Sequence, residues 1–129
     1  MEKNFDAWNI VKKKNHFEKE RPFFHQREIW SCNLGVNIGF EQDGSGDDFM
    51  RPVVVIKKFS KEVCWVIPLT KSNKTGKYYF SFSFIDKVVS SAILSQLTLL
   101  DSKRLYYKIG DIDANDFKQI IERTINLFP

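Results

Sequence analysis

The residues that could carry chemistry in this chain are not metal ligands or an activated nucleophile. His16 and His25 lie nine residues apart, and neither stands beside a cysteine or carboxylate in zinc-binding order. The Gly-Ser-Gly at 44–46 lacks the lysine and hydroxyl residue of a phosphate-binding loop. No nucleophile-elbow motif is present. If the chain is an enzyme, we therefore expect metal-independent chemistry by arginine, threonine, glutamate and glutamine side chains at the ends of strands.

The composition of the chain is that of one globular domain, whose fold must position such residues. The chain has 129 residues, a net charge of +4 and 43% hydrophobic residues. These values exclude a disordered, collagen-like or disulfide-stapled chain. The mild positive charge permits an anionic partner without requiring one. Aromatic residues make up 15% of the chain, which suits strand-rich packing and also base stacking.

The sequence predicts a cytoplasmic protein that does not contact a membrane. Residues 1–6 show no basic segment leading into an apolar one, so we expect no signal peptide. The apolar run at 53–56 is far too short to span a bilayer. Cys32 and Cys64 lie in separate apolar runs, which is typical of buried thiols in a reducing compartment.

The first 26 residues are predicted to form a helical extension that packs on the main body. Phe5, Trp8 and Val11 recur at helical spacing, and three lysines follow them at 12–14. Pro22 then disfavours further helix. The lysine run is interpreted either as a solvated helix face or as a nucleic-acid patch.

From residue 28 onward, apolar residues alternate with polar ones, which predicts strands. Trp30, Cys32, Leu34 and Val36 share one face of the first strand. Residues 39–48 are too polar and acidic for a core, so we expect a mobile surface loop. Further strand-like segments lie at 53–59, 63–70, 78–85, 88–100 and 104–110. A last helix is predicted, capped by Asp113, with an apolar stripe of Phe117, Ile120, Ile121, Ile125 and Phe128. This inventory favours a small barrel or sandwich.

Eight short blocks, in order, closely resemble the MazF/PemK (Kid-like) family of type II toxin–antitoxin endoribonuclease toxins. They are Arg27-Glu-Ile-Trp30, Asn33-Leu-Gly35, Gly39-Phe-Glu-Gln42, Arg51-Pro-Val-Val-Val-Ile56, Ile67-Pro-Leu-Thr70, Leu94-Ser-Gln-Leu97, Leu100-Asp-Ser-Lys-Arg-Leu105 and Lys108-Ile-Gly110. The resemblance implies a mainly β (α+β) domain at 27–129, a small SH3-like barrel of the MazF/Kid/CcdB type with a C-terminal helix. It also implies a homodimer that binds single-stranded RNA, a cognate MazE/PemI-like antitoxin, and RNA cleavage without a metal or cofactor. Binding to DNA belongs to the same expectation.

The resemblance also assigns site residues. Arg51 would bind the scissile phosphate and stabilise its transition state, Thr70 would bond that phosphate, and Glu41 would act as general base. Gln42 accompanies Glu41, and Gln96 would contact phosphate, base or loop backbone. Further RNA contacts are expected from the lysines Lys57, Lys58, Lys71, Lys74 and Lys77. Without the resemblance, Arg51 would be interpreted as a salt-bridged strand arginine and Glu41 as a solvated acid.

Three departures from the family pattern keep other functions open. Ser95 and Thr98 replace the aspartate and arginine of the family's Asp-Gln-x-Arg block, and Ile93 stands where the Kid branch has an arginine. The chain could therefore be a degenerate barrel that binds RNA or a protein without cleavage, or a CcdB-like gyrase poison. Residues 1–26 could serve as a packed cap, an antitoxin contact or a brake on the dimer groove.

Overall fold

The alternating segments form antiparallel strands in the computed structural model, which describes residues 2–46 and 49–129. Its elements are α1 (Phe5–Phe17), β1 (Glu28–Asn33), β2 (Met50–Lys58), β3 (Val63–Thr70), β4 (Tyr79–Ile85), β5 (Val88–Ile93), β6 (Thr98–Asp101), β7 (Leu105–Asp111) and α2 (Ala114–Ile125). Short 3₁₀ turns at Leu94–Gln96 and Ser102–Arg104 flank β6. The apolar segment 88–100 is thus divided into two strands and a turn. Met1, Asp47 and Asp48, two of them part of the predicted acidic loop, lie outside the described residues.

The strands form one antiparallel sheet in the order β4-β5-β3-β2-β1-β7, with β6 paired to β3. The predicted mainly β fold with two helices is confirmed, but the sheet is not closed into a barrel by hydrogen bonds among the described residues. The side chain of Phe84 on β4 lies against Gly110 on β7, where an added Cβ would stand 3.2 Å from its ring. A side chain therefore occupies the space between the two edge strands.

Alternate residues of the central strands face two separate hydrophobic cores. On β2, Val54 and Ile56 belong to one core, whereas Val53 and Val55 belong to the other. The first core is covered by α2 through Phe117 and Ile120, and the second includes Phe24 from the segment that precedes β1. Because β1 lies between these cores, all six of its residues are buried.

The buried state of β1 extends to its polar residues and to the thiol of Cys32. Ser31 and Asn33 are 5% and 2% exposed. Burial raises the pKa of Cys32 to about 12, and burial together with the nearby Asp101 raises that of Cys64 to about 11. Both cysteines are therefore inert buried thiols, as the sequence predicts.

Both helices begin where they are predicted to, but Phe5 of the predicted α1 stripe is 50% exposed. In α1, Asn4 accepts a hydrogen bond from the backbone of Ala7, and Trp8 is buried. In α2, Asp113 caps the start by accepting from the backbone N–H of Asp116 at 2.7 Å. The predicted apolar stripe was wrong at its end, because α2 stops at Ile125, and Ile125 and Phe128 are exposed. Across the described part of the chain, neither helix is long and apolar enough to cross a membrane.

Candidate active site

The pairing of β2 with β3 brings Arg51 and Thr70 to the same end of the sheet. Val53 lies opposite Pro68, and two residues further along both strands stand Arg51 and Thr70. Arg51 Nη1 donates to the carbonyl of Leu69, the residue before Thr70, at 3.1 Å. The structure therefore brings together the arginine and threonine that the family resemblance implies would act on one phosphate.

The Arg51 guanidinium is half-buried and held on two sides by backbone oxygens. Besides its bond to Leu69, its Nε donates to the carbonyl of Asp43. Burial lowers the pKa of Arg51 below its usual value, and the nearby Asp43 carboxylate opposes that shift. A guanidinium has five N–H donors and stays charged in proteins. Two donors fix its orientation, and the others can serve an anion.

The loop that Arg51 contacts, residues 37–44, is called the site loop below. Asp43 Oδ1 accepts from the backbone N–H of Asn37 at 2.7 Å, and the Asn37 amide donates to the carbonyls of Leu34 and Gln42. The Gly44 N–H donates to the Gly35 carbonyl at 2.7 Å. The sequence predicts a mobile segment here, but these polar side chains satisfy the backbone groups of the loop itself.

Lys3 fixes the site loop from outside. Its Nζ lies 2.5 Å from the Asn37 carbonyl, 3.0 Å from the Gly39 carbonyl and 3.0 Å from Asp43 Oδ2. The Lys3 side chain is only 12% exposed. Sequence reasoning missed this residue, because a lysine near the start of a chain carries no local signal of a contact 40 positions away.

Gln96 binds the same loop from the opposite side. Its Oε1 accepts from the backbone N–H of Gln42 at 2.9 Å, and its Nε2 donates to the Phe40 carbonyl at 3.1 Å. Of the three contacts predicted for Gln96, the structure shows the one to loop backbone. Glu41 is exposed, with Oε1 accepting from the Ile38 N–H at 2.9 Å.

A groove of about 780 Å³ opens beside the site loop. Glu41, Gln42 and Gln96 line it, whereas Arg51 and Thr70 are not among its described lining residues. The groove-lining residues are connected to Arg51 through one acceptor, because the Asp43 carbonyl accepts hydrogen bonds from both Arg51 Nε and Gln42 Nε2. Ser95 and Thr98, the two departures from the family block, also line the groove and are exposed. Ile93, the third, is buried.

The predicted RNA-binding lysines fall into two places. Lys71, Lys74 and Lys77 are exposed on the loop that directly follows Thr70. Ser91 shapes that loop, since its hydroxyl donates to the Ser72 carbonyl at 2.7 Å and accepts from the Lys74 N–H at 2.9 Å. These three lysines therefore border the Arg51 end of the sheet.

The other two lysines, Lys57 and Lys58, stand at the far end of β2. Lys57 lies six positions along the strand from Arg51, which corresponds to roughly 20 Å. Lys58 Nζ donates to the Phe24 carbonyl at 2.9 Å and lies 4.5 Å from the Phe24 ring centroid. The structure does not bring this pair to the Arg51 end.

Two aromatic residues near the site are available for stacking. Phe40, on the site loop, is fully exposed, and Tyr78, after the lysine loop, is 46% exposed. The Nζ of Lys77 lies 5.0 Å from the Tyr78 ring centroid. No group of three or more His, Cys, Asp or Glu side chains that could hold a metal ion occurs within residues 2–46 and 49–129.

Comparison with known proteins shows that solved toxin structures share the mainly β fold described above. Residues 25–128 match the model of the family described as "PemK-like, MazF-like toxin of type II toxin-antitoxin system". The chain is similar to MazF from Deinococcus radiodurans, with a TM-score of 0.65 and 16% identity over 84% of this chain and 97% of that one. It is also similar to the Mycobacterium tuberculosis toxin MazF-mt6, with a TM-score of 0.60 and 16% identity over 79% and 96% of the two chains.

A third similar structure is a mycobacterial endoribonuclease in complex with its cognate antitoxin. Its TM-score is 0.60, with 12% identity over 83% of this chain and all of that one. No curated protein sequence matches the chain. At these identities the structural matches establish the fold, and the family match covers most of the chain. The protein therefore belongs to the PemK-like, MazF-like toxins of type II toxin–antitoxin systems.

Proposed function

We propose that the protein is an endoribonuclease that cleaves single-stranded RNA in the cytoplasm without a metal. A ribose 2′-oxygen would attack the adjacent phosphorus while the bond to the 5′-oxygen breaks. The products would be a 2′,3′-cyclic phosphate and a 5′-hydroxyl end. The observation that carries this proposal is the placement of Arg51 beside the Thr70 end of β3, bordered by an exposed lysine loop.

Arg51 is suited to stabilise the pentacoordinate phosphorus of that reaction. Its bonds to the Asp43 and Leu69 carbonyls fix the guanidinium before substrate arrives. A preorganised cation costs no reorganisation when negative charge develops. The hydroxyl of Thr70, at the end of the adjacent strand, would donate to a second oxygen of the same phosphate.

Glu41 is the proposed acceptor of the 2′-hydroxyl proton. It is exposed on the site loop, and the loop is joined to Arg51 through the Asp43 carbonyl. Gln42 and Gln96 would position that loop, since the Gln96 amide binds the backbone of Gln42 and Phe40. The proton for the leaving 5′-oxygen would come from solvent or from a neighbouring donor.

The proposed partners are RNA, a second copy of the chain and an antitoxin. Lys71, Lys74 and Lys77 would bind the RNA backbone, and Lys57 would contact RNA further along the sheet. One similar structure is an endoribonuclease with its cognate antitoxin, which supports a MazE/PemI-like antitoxin here. We propose that the homodimer forms a groove long enough for several nucleotides.

The test is cleavage of defined single-stranded RNA by the purified protein in EDTA, with 5′ ends mapped. We expect 5′-hydroxyl and cyclic phosphate ends, and a rate at least ~10²-fold lower for Arg51→Ala. Arg51→Lys should restore little, because an ammonium cannot bind both carbonyls and a phosphate in the same plane. Thr70→Val should lower the rate by about 10-fold. Lys118→Ala on α2, which removes an exposed charge, is the matched control.

A degenerate, non-cleaving domain is the second candidate. It is favoured by Ser95, which stands where the family has an aspartate and provides no carboxylate in the groove. It is also favoured by Ile93, which is buried and stands where the Kid branch has an arginine. Intact RNA in all assays, with RNA bound and growth unaffected on overexpression, would establish it. Toxicity with intact RNA would instead favour a gyrase poison.

A further inference from the structure

A second groove, of about 490 Å³, lies between α1 and the 3₁₀ turn Ser102–Arg104. We call it the α1 groove. Seven α1 residues line it, and four of them recur at the spacing of one helix face and are polar or cationic: Asn9, Lys12, Lys13 and His16. Both lysines are exposed. The stripe therefore forms a cationic wall that belongs to the helix outside the family match, which begins at residue 25.

The facing wall is also cationic. Arg21, Lys103 and Arg104 line it, and Lys103 Nζ joins the two walls by donating to the His16 carbonyl at 2.9 Å. Asp101 is the one carboxylate among the described lining residues, and its Oδ1 lies 2.6 Å from Arg21 Nη1. Five cations face a single paired carboxylate, so the α1 groove alone carries an excess equal to the +4 of the whole chain.

The cationic face of α1 is held in place by neighbouring residues of the same helix, Trp8 and Asn15. Trp8 is 7% exposed, and its ring lies 5.6 Å from the Phe49 ring and 5.6 Å from the Arg104 guanidinium. Asn15 Nδ2 donates to Asn33 Oδ1 on β1 at 3.1 Å. The lysines at 12 and 13 are therefore presented by a fixed support rather than by a free tail.

The α1 groove adjoins the larger groove beside the site loop. Asp101 and Arg104 line both of them. Phe17, at the end of α1, is 76% exposed and also lines the α1 groove. A cationic channel with an exposed aromatic ring is the arrangement that binds single-stranded nucleic acid, through phosphates and base stacking.

We propose that the α1 groove binds the backbone of single-stranded RNA on one side of the segment bound at Arg51, Thr70 and Glu41. This inference rests on the proposed function, because it extends the same RNA beyond the cleavage site. The five cations that line one groove favour a polyanion with regularly spaced phosphates. Residues 1–17 thus enlarge the RNA-binding surface beyond the family domain.

The experiment measures binding of a fluorescent, mixed-sequence 20-nucleotide 2′-O-methyl RNA, which lacks the nucleophile for cleavage. Lys12→Ala and Lys13→Ala are each compared with Lys118→Ala, another exposed helix lysine. Each should weaken binding about 3- to 10-fold and reduce the slope of log K against log salt by about 0.7. Lys118→Ala should leave both quantities unchanged.

Cleavage by the wild-type protein is measured in parallel. If the wild-type protein cleaves RNA, but Lys12→Ala and Lys13→Ala bind RNA as Lys118→Ala does, the α1 groove proposal is wrong and the proposed nuclease stands. If RNA binding depends on Lys12 and Lys13 but the wild-type protein does not cleave RNA, the proposed nuclease is wrong and the α1 groove proposal stands. If a polyglutamate peptide binds and depends on Lys12 and Lys13 while the RNA does not, the groove is a site for an acidic protein and the RNA assignment is wrong.

Discussion

The ammonium nitrogen of Lys3 lies 3.0 Å from the Asp43 carboxylate, and the backbone carbonyl of that same Asp43 accepts from Arg51. A residue outside the family domain is thereby joined, through one aspartate, to the candidate catalytic arginine. The site loop between them carries Glu41 and Gln42. The contacts of Lys3 therefore bear on the geometry of the whole candidate site.

Replacing Lys3 by alanine should loosen the site loop. The substitution removes an ammonium that satisfies two loop carbonyls and the Asp43 carboxylate. Charged hydrogen bonds of this kind contribute about 1.5 kcal/mol, which corresponds to roughly 10-fold faster local opening. Hydrogen exchange of the peptide spanning the site loop measures it, with the exposed Lys19→Ala as control. Equal exchange in both variants would show that the loop is held by its internal bonds alone.

Gln96→Leu should lower cleavage through the site loop. The variant keeps the approximate volume of the side chain but leaves the Gln42 N–H and the Phe40 carbonyl without their amide partner. We expect kcat to fall about 10-fold, with KM for RNA nearly unchanged, because the phosphate-binding cations are untouched. Ser95→Ala, on the adjacent exposed residue, is the control. A change confined to KM would indicate that Gln96 contacts RNA directly.

Gly35→Ala should destabilise the protein more than Gly39→Ala. Both glycines have positive φ, +81° and +56°, which costs an alanine about 1–2 kcal/mol. At Gly35 the added Cβ would also stand 2.2 Å from the Trp8 ring, whereas nothing lies within 4 Å at Gly39. We expect losses of about 3 and about 1 kcal/mol in unfolding free energy. Denaturant unfolding followed by tryptophan fluorescence measures both, and equal losses would contradict the close packing of α1.

Glu28 should make the stability of the protein fall in acid. Burial raises its pKa, but hydrogen bonds from Trp30, from the His25 backbone and from Lys108 outweigh this effect and lower it below 4.5. A lowered pKa in the folded state adds stability above the unfolded pKa, and that stability is lost as the pH falls through the folded value. Glu28→Gln should cost about 1 kcal/mol at pH 7 and much less at pH 3. A pH-independent difference, measured by denaturant unfolding, would contradict this assignment.

The sequence carries information on the strands, the capped C-terminal helix and the order of the family blocks, because these depend on local patterns. The alternation of Phe80 and Phe82 with Ser81 is an example, since both phenylalanines are buried. The structure also brings Arg51 and Thr70 together through strand register, as the resemblance implies.

Features that depend on distant contacts were not predictable. The position of Lys3 depends on three acceptors in the site loop, and the burial of Ser31 and Asn33 depends on cores on both faces of β1. The gap between β4 and β7 depends on where the Phe84 ring lies. Local residue patterns do not specify such three-dimensional neighbours.

The position of β1 between β2 and β7 has a consequence for the order of folding. Its residue Glu28 is opposite Asp111, and α1 is joined through His16 to Lys103. These partners lie more than 80 positions apart, so the loop-closure entropy is lost before the contacts form. During synthesis, a ribosome-bound chain that lacks β7 can pair β1 on one side only, with β2. The proposed RNA-binding surface therefore assembles only after the segment through Asp111 has been synthesised.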